Sequence, residues 1–357
     1  MPFFGATQLC VSDIFAKQTT DIFPEQEHFC TEINLFDAGV NNTIVHFRKA
    51  PPTSDHQPTR VRRWGEHREE FEHNVELLPT ASQLALQDGV FREHAGRSDG
   101  AAAAGVPLGM ICYISKGMVI HADERKAQGT FRAEDLVQEK RDARHPKPFI
   151  EGKDIVRWVV RHIRYLEWGT ERAPARFSRQ TFPELHEAPE RLLALRICGD
   201  TPTVTFDDRQ VYCNHTAIVF VPWHLLRGVR NRSIRKSAKY SDESKPLESQ
   251  TGCLREDLEN LSSEYHVKYL LAVMNSSWAC QFLRNVRRTQ TDIYPDDWKQ
   301  LPIPTGTPEE QEEIAALVDE ILALYAKHGH PLPAGADEQL RELEREIDER
   351  VAALYGL

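Results

Sequence analysis

Apolar and polar positions follow different periods in different parts of this chain, and the change of period divides it. Residues 1–64 carry short β-type runs. In INLFDAGVNNTIVHFRKA a turn is predicted at Asn41-Asn42, followed by a strand over 43–47, and TRVRRW (59–64) reads as a further edge strand beyond Pro51-Pro52. Residues 65–106 are polar, pass through Ser98-Asp99-Gly100 and end in small residues, as a connector does. From Leu108 the texture changes. PLGMICYISKGMVI (107–120) predicts a strand pair around Lys116-Gly117, and FRAEDLVQEKR (131–141) has a helix-like pattern. PFIEGKDIVRWVVRHIRYLEW (148–168) combines a turn at Gly152 with β-rich runs, and VYCNHTAIVFVPW (211–223) is a buried-strand candidate. Residues 264–286 place Val267, Leu270, Leu271, Met274, Trp278 and Phe282 at helical spacing.

The C-terminal segment gives the clearest helix. Thr307 is placed to cap, Pro308 suits the first helical position and Glu310 completes a T-x-x-E capping box. Ile314, Leu317, Val318, Ile321, Leu322 and Tyr325 then recur every three or four residues until Gly329. A second helix is predicted from about Asp337, with Leu340, Leu343, Ile347, Val351 and Leu354 on one seam. The expected fold class is therefore mixed α/β, closing in a helical hairpin over 309–357.

Charge changes this picture once it is located. The 357 residues carry a formal −10. Between 309 and 350 there are thirteen acidic side chains against four basic ones, a net −9, so the rest of the chain is close to neutral and its local basic clusters set the field a ligand would meet. Arg227, Arg230, Arg232, Arg235, Lys236 and Lys239 form an acid-free run. Arg157, Arg161 and Arg164 flank Trp158 and Tyr165; Arg172, Arg176 and Arg179 follow; Arg284, Arg287 and Arg288 stand beside Gln290. Such clusters can track phosphates, and arginine and glutamine pair bidentately with guanine and adenine edges. Each cluster taken singly is equally readable as a solvated face.

Other chemistry is thinly represented. The seven cysteines include no C-x-x-C pair and are an odd count, which points to scattered reduced thiols, and no metal site is expected. No phosphate loop, GxSxG elbow or HExxH motif occurs. Glu151-Gly152-Lys153 with Asp142 upstream could hold a divalent ion for hydrolysis, although a turn at Gly152 is the plainer account. His46, His121, His215 and His224 sit in apolar surroundings and read as hydrogen-bonded interior residues, as Trp158, Trp168, Trp223 and Trp298 read as core. No apolar run is long enough to cross a bilayer and the N-terminus has no export signal, so a cytoplasmic protein with no membrane partner is expected.

Several stretches resemble one family. KPFIEGKDIVRW (147–158) is similar to the opening signature of the TaqI-like C-terminal specificity domain of adenine-specific DNA methyltransferases. IRYLEWGTERAP (163–174) with TFPEL (181–185), the strand-then-glycine segment 192–199, YHVKYLLAVMNSSWACQFL (265–283) and DIYPDDWKQLPIP (292–304) follow in the family's order, and resemble type IIG restriction-modification enzymes and their phage-defence relatives. NLFDAGVNNTIVHFRKA (34–50) resembles the late part of the methyltransferase catalytic domain. There the resemblance gives Phe36 the role of stacking on a flipped adenine, as base flipping requires.

The resemblance implies double-stranded DNA as partner and S-adenosylmethionine as cofactor of the complete enzyme. It implies neither for catalysis within this chain, where the glycine-rich cofactor loop and the Asn/Asp-Pro-Pro-Tyr/Phe tetrapeptide do not occur. A separate catalytic chain is then a possible partner; a split gene, a truncated frame and a remnant are all compatible. The expected organisation is a partial methyltransferase sheet over 1–64, a linker over 65–106, a target-recognition domain over 107–308 and the hairpin over 309–357. Its function would be sequence-specific DNA recognition for adenine-N6 methylation. Alternatives are a methyltransferase active only with a partner chain, and a metal-dependent nuclease using Asp142, Glu151 and Lys153.

Overall fold

The computed structural model describes residues 23–30, 42–48, 59–63, 75–78, 105–123, 130–199, 201–234, 253–287 and 291–357. The chain divides into two compact units, Met1–Ala101 and Ala102–Leu357, and belongs to the α/β class.

In the first unit, β1 (Phe23–Cys30), β2 (Asn42–Arg48), β3 (Thr59–Arg63) and β4 (Val75–Leu78) form one sheet in the order β2-β1-β3-β4. β1 and β3 run parallel, with Glu27 opposite Val61, whereas β1–β2 and β3–β4 are antiparallel. The predicted strand over 43–47 is β2. The predicted edge strand over 59–64 is β3, and it is instead an inner one, because β1 takes one side of it and β4 the other. β1 (FPEQEHFC) has too few apolar residues to be visible as a sequence pattern, and β4 (VELL), which lies in the stretch read as connector, is too short to show a period.

The second unit is organised on an antiparallel sheet, β13-β12-β15-β6, formed by β6 (Cys112–Lys116), β12 (Arg191–Leu195), β13 (Val204–Asp207) and β15 (Ala217–Pro222). Every residue of β15 is buried, which is why AIVFVP is a continuous apolar run rather than an alternating one. Ile114, Leu192, Ala194, Val204, Ile218 and Phe220 face a core built with the C-terminal helices. Tyr113, Leu193, Ala217, Val219 and Val221 face a second core closed by Phe182, Leu185, Trp223, Leu226 and Leu258. A smaller sheet of β8 (Val137–Gln138), β9 (Lys147–Ile150), β10 (Arg164–Leu166) and β14 (Tyr212–Cys213) lies over a third core around Phe149, Leu166, Phe177 and Tyr212.

Three sequence expectations are corrected here. β6 and β7 (Val119–Ala122) are both strands, but they do not pair with each other. β6 pairs with β15, and β7 pairs with β11 (Phe177–Arg179) in another sheet. Gly117 makes that crossing possible: a Cβ there would lie 2.3 Å from the Asn214 carbonyl oxygen, inside van der Waals contact. The helix-like stretch 131–141 is a single 3-10 turn, Ala133–Leu136, running into β8, because Phe131 and Leu136 are drawn into the third core on either side of it. The single helix expected over 264–286 is two, Val267–Asn275 and Ser277–Val286. Ser276 ends the first and caps the second, its hydroxyl accepting from the Ala279 N–H at 3.1 Å.

The C-terminal hairpin forms as its pattern requires. The Thr307 hydroxyl accepts from the Glu310 N–H, and the Glu310 carboxylate accepts from the Thr307 N–H at 2.8 Å. The helix Pro308–His328 ends at Gly329, whose φ of 74° favours glycine, and Ala334–Leu354 returns with Leu340, Leu343, Ile347 and Val351 buried. Two residues of the β-rich stretch lock the hairpin to the main sheet. The Trp158 indole N–H donates to Glu344 at 2.7 Å, and Arg157 pairs with Glu344 at 2.9 Å while donating to the Asn275 carbonyl at 2.6 Å. The Asn275 side chain in turn bonds both the N–H and the carbonyl of Val204 in β13.

Replacing Glu344 with Ala leaves a buried indole N–H and a half-buried guanidinium without their acceptor. The expected cost is about 1–3 kcal/mol, read as a lower urea midpoint. Glu342→Ala, on the solvent face of the same helix, is expected to cost less than about 0.5 kcal/mol; equal losses in the two variants would refute the lock.

Candidate nucleic-acid interface

One end of the main sheet gathers basic side chains from five separate segments. The β6–β15 register sets Lys116 opposite Ile218 at the end of β6. β12 continues past its last paired residue: the Arg196 N–H donates to the Thr216 carbonyl at 3.0 Å, and the Arg196 carbonyl accepts from the Ile293 N–H at 3.0 Å. After the crossing at Gly117, the His215 N–H donates to the Met118 carbonyl at 2.7 Å, which brings the His215 ring to 6.4 Å from that of His121 on β7. Arg179 arrives through the pairing of β11 with β7, directly opposite Val119. The Lys116 ammonium lies over the Tyr294 ring at 4.5 Å.

These groups repel one another. Partial burial lowers the Lys116 ammonium from its ordinary range, and the positive charges of Arg196 and Arg179 lower it further against the opposing pull of Asp292 and Asp296. The His215 imidazole is lowered first by burial and then by Arg196, His121 and Lys116. The Arg196 Nε and the His215 Nδ1 are buried without hydrogen-bond partners among the described residues. Crowded cations with open donors make a local positive potential that an anion would relieve. Arg179 is expected from the sequence as a contact residue; Lys116, Arg196 and the approach of His121 to His215 are not. The only signal for these three lies in strand register, which single-chain spacing does not carry.

The arginines singled out from the sequence divide by partner. Arg157 is held on Glu344, Arg164 on Glu151 and Asp154 at 2.8 and 3.0 Å, Arg172 on Glu167 at 2.7 Å, and Arg176 on Glu171 at 2.9 Å. Arg161 is exposed and donates to the Lys153 carbonyl, and Arg287 donates to the Gly199 carbonyl just beyond β12. Arg179, Arg230, Arg232 and Arg284 are exposed. Arg227, paired with Glu259 at 3.4 Å, and its neighbours Arg230 and Arg232 follow the far end of β15, where Pro222 lies opposite Cys112, and so stand at the other end of the sheet from Lys116. Phe36, Arg235, Lys236, Lys239, Arg288 and Gln290 lie outside the described residues.

Asp142 and Glu151 have internal partners. Asp142 accepts from the Gln138 side chain and from the backbone N–H groups of Arg144 and His145, which holds it down to about 2. Burial would raise Glu151, but hydrogen bonds and charge from Lys153 and Arg164 outweigh it and lower the carboxyl; Asn214 donates to it as well, at 3.1 Å. Among the described residues no three His, Cys, Asp or Glu side chains converge to hold a metal ion. Cys112 and Cys213 are buried thiols, and burial pushes Cys213 up to about 12.

The interior reading holds for His224 and for the tryptophans, but is corrected for His121, which is exposed, and for His215, which is half-buried with its Nδ1 unpartnered among the described residues. His224 is bonded to Ser262, Trp223 donates to the Gly109 carbonyl at 3.2 Å, and Trp298 is fully buried against Phe220. Half-buried Trp168 packs edge-on to Tyr212, and His46 lies in β2. A cavity of about 550 Å³ opens beside Trp158 between Phe206, Arg209 and Lys268 and the hairpin residues Leu322, Tyr325 and His330. Asp208 and Asp319 in the same wall offset two of its three cations, Arg161, Arg209 and Lys268.

No protein-family model matches the sequence, and no curated protein matches it. Solved structures similar to it include restriction-modification enzymes. For the type IIL restriction-modification enzyme MmeI in complex with DNA, identity is 12% and the TM-score 0.47, with 94% of this chain and 43% of that chain covered. For a type I restriction-modification system, the values are 16% and 0.31, covering 70% and 45%. For the type IIG restriction endonuclease BpuSI, they are 12% and 0.30, covering 95% and 44%. The chain thus spans less than half the length of each of these proteins. Among the described residues no helix is long and apolar enough to cross a membrane.

Glu167 yields a prediction for acid stability. It is fully buried and accepts from Arg172, Thr170 and Arg144. Burial alone would raise its carboxyl, but these bonds hold it down to about 2. A carboxyl lowered in the folded state contributes stability above the ordinary carboxylate range and loses it as pH falls toward the folded value. Urea midpoints are therefore expected to fall between about pH 5 and 2 in the wild type. In Glu167→Gln, stability is expected to be lower at neutral pH and flatter across that window.

Proposed function

We propose that this chain is a DNA sequence-recognition module, acting as the C-terminal half of an adenine-N6 DNA methyltransferase of a restriction-modification or phage-defence system. The observation that carries the reading is the basic end of the main sheet. Lys116, Arg179 and Arg196 converge there from β6, β11 and the exit of β12, beside the His215 imidazole, on a molecule that is acidic as a whole. Cations crowded this way attract a polyanion, and release of its counterions would drive binding. The ordered motifs between 147 and 304 support duplex DNA as that polyanion. Phe36 belongs to the same proposal, as the stacking residue for an extruded adenine.

The acidic hairpin fits the same division of labour. Its carboxylates either pair within the hairpin, as Arg350 does with Glu313 at 2.6 Å and Glu346 at 2.8 Å, or hold it to the main sheet through Glu344, and those facing solvent would repel phosphates. The sequence holds no glycine-rich cofactor loop and no Asn/Asp-Pro-Pro-Tyr/Phe tetrapeptide. No methyl-transfer step is therefore assigned to this chain's residues. A separate chain would supply both, and its co-purification with this one, detected by the tetrapeptide in the captured protein, tests that part of the reading.

Duplex binding followed by fluorescence anisotropy from 50 to 200 mM salt tests the interface. The wild type is expected to show a linear fall of log affinity with log salt. Lys116→Ala with Arg179→Ala is expected to weaken binding to every sequence and to make the slope shallower by about 0.9 for each phosphate no longer neutralised. An unchanged slope in the double variant, or no duplex binding by the wild type, would remove the reading.

A further inference from the structure

Arg196 differs from the other arginines at the core of this unit. Arg157, Arg164, Arg172, Arg191 and Arg255 each have a carboxylate within 3.0 Å. No carboxylate or carbonyl holds the half-buried Arg196 guanidinium among the described residues; its Nε is buried without a partner there, as are those of Arg157 and Arg164, but those two have carboxylates on their other nitrogens. Its charge lowers both the Lys116 ammonium and the His215 imidazole, and Asp292 and Asp296 pull the other way on Lys116.

Its backbone is nevertheless tightly placed. The Arg196 N–H and carbonyl are both bonded, Ile197 bridges Asp292, and the Cys198 N–H donates to the Thr291 carbonyl at 3.2 Å. Ile197, the next residue, is 51% exposed, one of few large apolar side chains so presented among the described residues. An exposed isoleucine gains nothing from phosphates. It does gain from the thymine methyl group on the floor of the major groove, where a neighbouring arginine finds the paired acceptors of guanine.

We infer that Arg196 reads a guanine through its O6 and N7, with Ile197 packing on an adjacent thymine methyl, so that the exit of β12 is a base-reading element. Lys116 and Arg179 then hold the flanking phosphates. This rests on the DNA-recognition reading above. It assigns sequence specificity to a residue pair that composition does not mark, since Arg196 belongs to no basic run. Rigid presentation is what the role requires: a planar fork on a fixed backbone can discriminate one base edge, whereas a mobile cation only adds affinity.

The test is selection from a randomised duplex library with the full chain, followed by affinities for the enriched site and for a scrambled duplex. The wild type is expected to enrich a site containing an invariant G·C pair. Arg196→Lys keeps the charge and loses the fork, and is expected to lower the ratio of specific to non-specific affinity by between about 5- and 150-fold. Replacing that guanine with 7-deazaguanine removes the N7 acceptor without altering the protein, and is expected to weaken wild-type binding while leaving Arg196→Lys indifferent. Uniform weakening of the lysine variant on every sequence would make Arg196 a phosphate contact and overturn the assignment, as would an unchanged ratio or wild-type indifference to 7-deazaguanine. If the wild type enriches no sequence, both this assignment and the recognition reading fail.

Discussion

The Trp158 indole and the carboxylate that accepts its N–H hold the second unit in register. Trp158 has a backbone φ of 79°, a conformation that costs an L-residue with a side chain about 1–2 kcal/mol. It is kept there by the bond from its N–H to the Val204 carbonyl at 2.9 Å, by the bond its carbonyl accepts from Phe206, and by the indole bond to Glu344. Arg157 lies over the indole ring at 5.3 Å and pairs with the same carboxylate. One side-chain oxygen of the last helix therefore satisfies two donors from the β-rich segment. Through Asn275, the same contact extends to β13 and the end of the preceding helix. Val204, which Asn275 holds, pairs with Ala194 two residues before Arg196, so the lock and the basic end share the same pair of strands.

Charge in this unit does two kinds of work, and burial separates them. Where a carboxylate is at hand, the cations are structural. Arg191 and Asp207 are both fully buried and lie opposite each other in β12 and β13, and Arg191 also donates to the carbonyls of Leu185 and Val211. Glu167 gathers Arg144, Arg172 and Thr170. Removing one partner from such a set leaves an uncompensated charge, which makes these sets rigid rather than adaptable. At the β6 end the cations gain less from the protein: Asp292 and Asp296 offset only part of the crowding on Lys116, and Arg196 has no acceptor among the described residues. Such local frustration is what the proposed contact with a polyanion would relieve.

The basic runs illustrate why residue type alone does not show which cations gather. Arg157, Arg161 and Arg164 are close in sequence and contribute to three different places: the hairpin lock, the Lys153 carbonyl and the Glu151–Asp154 turn. Lys116, Arg179, Arg196 and His215 are far apart along the chain and act on one another's charge. Strand pairing brought them together, and pairing partners are set by the sheet as a whole rather than by any one strand.

Where local energetics suffices, the amino-acid sequence alone determined the outcome. The reciprocal Thr307–Glu310 cap, the helix stop at Gly329, the buried seam of the hairpin, the turn at Gly152 and the strand at AIVFVP all formed where their patterns placed them, because each depends on neighbours within a few residues. Tertiary structure decided what depends on distant partners. It separated β6 from β7 at Gly117, turned 131–141 from helix to 3-10 turn and strand, and moved β3 from the edge of its sheet to the interior. It also chose which cations would be neutralised and which left facing outward. Hydrogen-bond ladders and ion pairs between segments far apart in sequence carry no local signature, so those choices became visible only when the sheets closed.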